Sequence, residues 1–182
     1  MRSLTTQRLL LRPFTREDEG IHRLVYADPE VAHPFCGTTR TLEEVRDWLI
    51  HRAWQAAEDE LGFWAVVRKH DKGLLGLVAL QLYVPWWIVW EHDPDVRHHR
   101  PEVELSYALG RPPWGHGYAT EACRALIAYA FEQLRLPRIA YGVDGANTRS
   151  VAMLRRLGFR LERNLHPDAS GAVVGVLDND RI

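Results

Sequence analysis

The chain holds two cysteines, Cys36 and Cys123, among its 182 residues. Two cannot build a disulfide framework, and they are too few to hold a zinc ion by themselves. Free cysteines of this kind behave as small hydrophobes and fit a reducing compartment. Lysine is scarce too: Lys69 and Lys72 are the whole complement, and every other cation is arginine. Neither sign of charge is in excess, with 23 Lys+Arg against 24 Asp+Glu and a formal net charge of -1. A nucleic-acid binder needs a basic excess to offset phosphates, so that class is disfavoured. Long apolar runs are missing as well. The opening MRSLTTQRLLLRPF has three leucines in a row before Arg12, which is not the core of a signal peptide. No window nears the roughly 20 apolar residues that span a bilayer. The densest stretch, Tyr83 to Trp90, is interrupted by Pro85. The expectation is a cytoplasmic protein with neither a membrane nor a nucleic-acid partner.

What is present suits one ordinary domain over residues 1–182, since 46% hydrophobic residues are enough to close a core. No internal repeat or linker divides it. Residues 8–14, RLLLRPF, read as a strand. Thr15 and Asp18 resemble a capping box for a helix to about Ala27, which Asp28-Pro29 stops. Thr41 and Glu44 form a second such pair, opening a helix to about Glu60 in which Leu42, Val45, Leu49 and Ala53 recur at helical spacing. GFWAVVR (62–68) and LLGLVALQL (74–82) read as a hairpin about Asp71-Lys72-Gly73. EVELSYAL (102–109) alternates as a strand does. A long helix over 117–134, a strand over 138–143 and a helix over 147–157 ended by Gly158 follow. Two last strands cover 159–165 and 172–177. The order β-α-α-β-β-β-α-β-α-β-β predicts an α/β fold, a mixed sheet with helices on both faces.

One segment carries chemistry. RPPWGHGYATEA (111–122) joins a strand directly to a long helix. Its prolines remove amide donors, and Gly115 and Gly117 let the backbone turn sharply beside a ligand. The helix then begins at once, with its first N–H groups unpaired, which makes an anion site. It is not a Walker loop, and Thr120 stands where the dinucleotide fingerprint wants its third glycine. A tight turn with no ligand accounts for such a pattern about as well.

WGHGYATEA, the apolar helix after it and NTRSVAMLRRLGF together resemble the GNAT superfamily of acetyl-CoA-dependent N-acetyltransferases. LTTQRLLLRPF and the WGxGYATEA form are similar to the RimJ/RimL branch, which acetylates ribosomal-protein N-termini. The resemblance covers nearly the whole chain and is weakest over Tyr83 to Pro101. It implies the GNAT fold: a mostly antiparallel mixed sheet whose strands splay at the acetyl-CoA site. The family loop is (Gln/Arg)-x-x-Gly-x-(Gly/Ala). Here Trp114 takes the Gln/Arg place, Gly117 the central glycine and Ala119 the last position. By resemblance, backbone amides of Trp114, Gly115, His116, Gly117, Tyr118, Ala119 and Thr120 hold the CoA pyrophosphate, and Asn147 contacts the pantetheine arm. N–H groups near Tyr107, Ala108 and Leu109 would bind the acetyl carbonyl. Many relatives carry a tyrosine that protonates the departing thiolate; Leu154 stands there, and Ser150 is the substitute the resemblance offers.

Acyl transfer to an amine also needs a base. On EVELSYAL, Glu102, Glu104, Ser106 and Ala108 share a face. A carboxylate amid a covered sheet costs several kcal/mol unless it is paired or hydrated. A cleft at Glu104 resolves that conflict and makes it the general base, a position that also matches the family's catalytic glutamate; a salt-bridged surface carboxylate is the other reading. Glu102, nearer the strand start, is expected in solvent. Cys123 falls on a core face. His92, Asp93, Asp95, His98 and His99 fit no standard metal spacing, so no metal is expected. Trp86, Trp87 and Trp90 read either as a pinned loop or dimer contact, or as a wall of the acceptor pocket. The acceptor is a small-molecule amine or a protein N-terminus, in a monomer or homodimer. The alternative to an enzyme is an acetyl-CoA-binding sensor without catalysis, supported only by the missing tyrosine.

Overall fold

The computed structural model describes residues 1–55, 59–83, 101–165 and 171–180; for 53–55 and 83 it describes the backbone only. The chain forms two compact units, residues 1–81 with 106–129 and residues 82–105 with 130–182. The strand EVELSYAL passes from the second into the first.

In the first unit β1 (Leu4–Thr5), β2 (Leu9–Pro13), β3 (Gly62–Arg68) and β4 (Leu74–Tyr83) are antiparallel neighbours in that order. The last residues of β5 (Glu102–Leu109) belong here as well. Phe63 through Val67 of β3 are all buried, so both faces are covered. Phe63, Ala65 and Val67 pack with Ile21, Val25, Tyr26, Val31, Val45 and Leu49, from helical segments on one face. Trp64, turned the other way by the strand's alternation, meets Tyr129 with ring centres 5.8 Å apart. That residue follows α3 (Tyr118–Ala128), whose Ala122, Cys123 and Leu126 are fully buried.

Several expectations hold closely here. The hairpin falls where β-propensity and the turn place it, and β5 where alternation does. Helix α2 (Leu42–Gln55) opens with a reciprocal capping box: the Thr41 N–H donates to Glu44 Oε2 at 2.7 Å, and the Glu44 N–H to Thr41 Oγ1 at 3.2 Å. The stretch before it differs. Thr15 and Asp18 do pair, but Asp18 is also taken by Arg12 through two 2.7 Å contacts, and only a π-helical turn, His22–Tyr26, follows. That stretch ends at Ala27, before Asp28-Pro29, as expected, but the same pair also starts a helix. Proline suits the first turn, where its missing N–H costs nothing, and Asp28 accepts the Glu30 N–H, so α1 runs Pro29–Cys36. The long helix after the glycine loop likewise ends at Ala128 and continues as a π-helical turn, Tyr129–Gln133.

In the second unit the start of β5 pairs in parallel with β6 (Arg138–Asp144), Glu104 lying opposite Ala140. β6 pairs antiparallel with β8 (Ala172–Asp178), and β8 with β7 (Arg160–Arg163). Helix α4 (Thr148–Leu157) precedes β7 and buries Met153 and Leu154. The pairings are mixed and mostly antiparallel, as expected.

Candidate functional site

The residues singled out in the sequence fall into two groups, one in each unit. The first lies where β5 runs into α3. Gly76 on β4 has its backbone so close to Ala108 that a Cβ there would collide with the Ala108 carbonyl. That carbonyl therefore faces β4, and so does the Gly110 N–H, which donates to Leu75 O at 2.9 Å. A peptide unit is planar and trans, so its C=O and N–H point in opposite directions. The Leu109 N–H, in the same peptide as the Ala108 carbonyl, is thus turned away from β4.

The same geometry orders the loop. Trp114, half-buried against the aromatic core, donates its ring N–H to Leu109 O at 2.8 Å, which anchors the turn to the strand end. The His116 ring Nδ1 lies 2.9 Å from Trp114 O and stacks on Tyr118. The guanidinium of Arg8 donates to His116 O at 2.9 Å. Both carbonyls are engaged, so the N–H groups of the following residues, Gly115 and Gly117, face the other way. These two glycines have φ of +79° and +77°, left-handed values that side chains resist. Gly117 is the N-cap of α3 and has no side chain to cap it. Gly115, His116 and Gly117 are exposed; Tyr118, Ala119 and Thr120 are half-buried. A concave run of outward amides at a helix start is a nest for an anion.

The second group lies on β5, β6 and α4. Glu104 is half-buried. Burial pushes its carboxyl above the ordinary value, and a hydrogen bond from the Gly142 backbone pulls less strongly the other way. It is thus a base of greater strength than a free carboxylate. Glu102 corrects an expectation: it is buried, not in solvent, and its carboxylate takes the Arg138 guanidinium through two contacts, one of 2.9 Å to Nε. Asn147 caps α4, its Oδ1 accepting the Ser150 N–H at 3.2 Å. Ser150 is buried, and its Oγ lies 3.4 Å from the Tyr141 hydroxyl. Tyr141 on β6 was not anticipated, because its partner stands on the next helix. Leu154 is fully buried core.

Cys123 is core as expected, and burial pushes its thiol far up, which rules out a ready nucleophile. Cys36 closes α1, its thiol against Thr38 O. Trp86, Trp87 and Trp90, with the histidines and aspartates of 92–99, lie outside the described residues. Among the described residues no cluster of three potential metal ligands occurs, and no helix is long and apolar enough to cross a membrane.

Residues 8–160 match the acetyltransferase (GNAT) domain family. This chain belongs to the GNAT acetyltransferase family. Its class is that of acetyl-CoA-dependent N-acetyltransferases. It is 28% identical to the uncharacterized N-acetyltransferase p20 of Bacillus licheniformis, over 97% of this chain and 93% of that one. Its fold is that of a GNAT-family acetyltransferase from Bacillus anthracis, with a TM-score of 0.77, 19% identity and coverage of 98% and 99% of the two chains. It is also that of RimL, the ribosomal L7/L12 α-N-protein acetyltransferase solved in complex with coenzyme A, with a TM-score of 0.75, 14% identity and full coverage of both. The likeness to these two structures is one of fold.

Proposed function

We propose that the chain, as one domain over 1–182, transfers the acetyl group of acetyl-CoA to a primary amine by direct attack in a ternary complex. The observation that carries this reading is the uncapped start of α3, where glycine amides face outward from a loop whose carbonyls are otherwise engaged. A CoA diphosphate is an anion suited to that nest.

In the step itself the amine nitrogen attacks the thioester carbonyl carbon. A C–N bond forms, Glu104 takes the amine proton, and the oxyanion is met by N–H groups near Tyr107, Ala108 and Leu109. The C–S bond then breaks, and the thiolate takes a proton through Ser150, which regains one from solvent as Glu104 releases the amine's; the Ser150 neighbour Tyr141 carries a second hydroxyl. Asn147 meets the pantetheine arm through its amide NH2 group, its Oδ1 being spent on the cap. No metal enters the scheme.

RimL, which shares the fold, acts on a ribosomal protein's α-amino group. The acceptor proposed here is of that kind or a small amine, met in the cytoplasm by a monomer or homodimer; the segment of Trp86, Trp87 and Trp90 leans to the small amine. Thiol release from acetyl-CoA, measured against a panel of amines and N-terminal peptides with E104Q as control, tests the reading. Turnover on one class, lost in E104Q, supports it and names the acceptor. Acetyl-CoA binding with no turnover on any acceptor moves weight to a sensor, and no binding removes the loop assignment.

A further inference from the structure

We infer that Arg8 is a positioning residue for the diphosphate loop, holding the His116–Gly117 peptide so that the Gly117 N–H faces the ligand. The inference rests on the reading of that loop as the acetyl-CoA site.

Arg8 stands just before β2, yet its side chain reaches α3. Its Nε donates to Glu121 Oε2 at 2.6 Å and its Nη1 to His116 O at 2.9 Å. The guanidinium lies over the Tyr118 ring, 4.5 Å from its centre. Its backbone N–H also donates to Glu121, at 2.8 Å, and so does the Thr6 hydroxyl, at 2.6 Å. Thr6 in turn accepts the Leu9 N–H on its hydroxyl and Lys69 Nζ on its carbonyl. The start of β2 and the first turn of α3 are thus one hydrogen-bonded unit, with Arg8 as the arm that reaches the loop.

Glu121 makes sense only with this arm. A carboxylate in the first turn of a helix that receives a diphosphate adds repulsion, because both charges seek the same helix end. Burial raises the Glu121 carboxyl, but the hydrogen bonds from Thr6 and Arg8 outweigh it and hold it below its ordinary value. It stays ionised, and Arg8 balances it. The side chains are 43% and 18% exposed, so the ionic attraction by itself is small. What the pair supplies is direction. With Nε on the carboxylate, the planar fork leaves Nη1 aimed at one carbonyl, and that carbonyl sets the orientation of the Gly117 N–H. Lysine has the charge without the fork.

The test is the dissociation constant of acetyl-CoA by calorimetry, and of acetyl-pantetheine by NMR titration, for wild type, R8K and R8Q, with thermal melts of each. Acetyl-pantetheine shares the thioester arm and lacks the diphosphate. R8Q is expected to weaken acetyl-CoA by about tenfold, the scale of one charge-assisted hydrogen bond, and R8K to recover only part of that. Acetyl-pantetheine should stay within about twofold of wild type. Unchanged acetyl-CoA affinity in R8Q, or equal loss for both ligands, overturns the inference. Should R8Q fail to fold, R8K serves alone, and wild-type affinity in R8K overturns it. A wild type that does not bind acetyl-CoA overturns the proposed function instead, whatever the variants do.

Discussion

At the turn from β5 to α3 the first helical amides have only a glycine before them, and the neighbouring carbonyls are drawn off by a histidine ring and an arginine. At the turn from β6 to α4 the amides are consumed locally. Asp144 takes the Ala146 N–H at 2.9 Å, and Asn147 takes the Ser150 N–H. Both are strand-to-helix turns, so both begin with the same surplus of donors. The first leaves that surplus facing outward. The second spends it on its own side chains and offers hydroxyls and an amide instead. The difference separates binding an anion from placing groups for chemistry, and each can be disturbed without the other.

The largest effect is expected from E104Q, on the chemical side. Turnover should fall by about a hundredfold or more, the scale of a lost general base, while acetyl-CoA affinity holds. The pH profile adds a sign. Burial raises the Glu104 pKa in the fold, so kcat/KM should fall as pH drops through a value above the ordinary 4.5. Stability runs the other way. Below both the unfolded and the folded value the carboxyl is neutral and costs nothing. As pH rises through that window, ionisation is easier in the unfolded chain, and the fold loses stability. E104Q should therefore melt higher than wild type at neutral pH and alike in acid.

On the binding side, G117V should cost about tenfold or more in acetyl-CoA affinity, because a β-branched side chain resists φ of +77° and the nest must distort. A normal affinity in G117V would break the comparison. S150A is expected to lower turnover by about tenfold, at the low end of acid catalysis, and Y141F by less, both with binding intact. If S150A and Y141F left turnover unchanged in steady-state kinetics, the hydroxyl pair would be core packing and nothing more. The smallest effect belongs to N147A. Losing that cap should cost about 1 kcal/mol, seen as a melting shift of a few degrees, and losing the amide NH2 should weaken acetyl-CoA binding slightly.

Much of this was legible in the residues. The aromatic and β-branched run of β3, the turn after it and the alternation of β5 gave the limits of β3, β4 and β5 nearly to the residue, because such residues suit a strand and Asp-Lys-Gly suits the bend between two. The glycine loop was legible as a turn before a helix, and Glu104 as a carboxylate in an awkward place. Asp28-Pro29 was legible only as the end of one helical stretch; that it also starts α1 shows only in the chain beyond it. Glu102 was misplaced because its partner Arg138 stands on β6, and nothing local announces it. The pairing of Arg8 with Glu121 was equally silent, because 113 positions separate them. Periodicity reports what a residue does within its own element; it carries no record of which element folds back upon it.

In the proposed chemistry the β5-to-α3 turn is the diphosphate site. Amide NMR during an acetyl-CoA titration tests it most directly. The Gly115 and Gly117 N–H resonances should move downfield to saturation, as donors do when they meet phosphate oxygens. A complex that forms while those two resonances stay in place would contradict it.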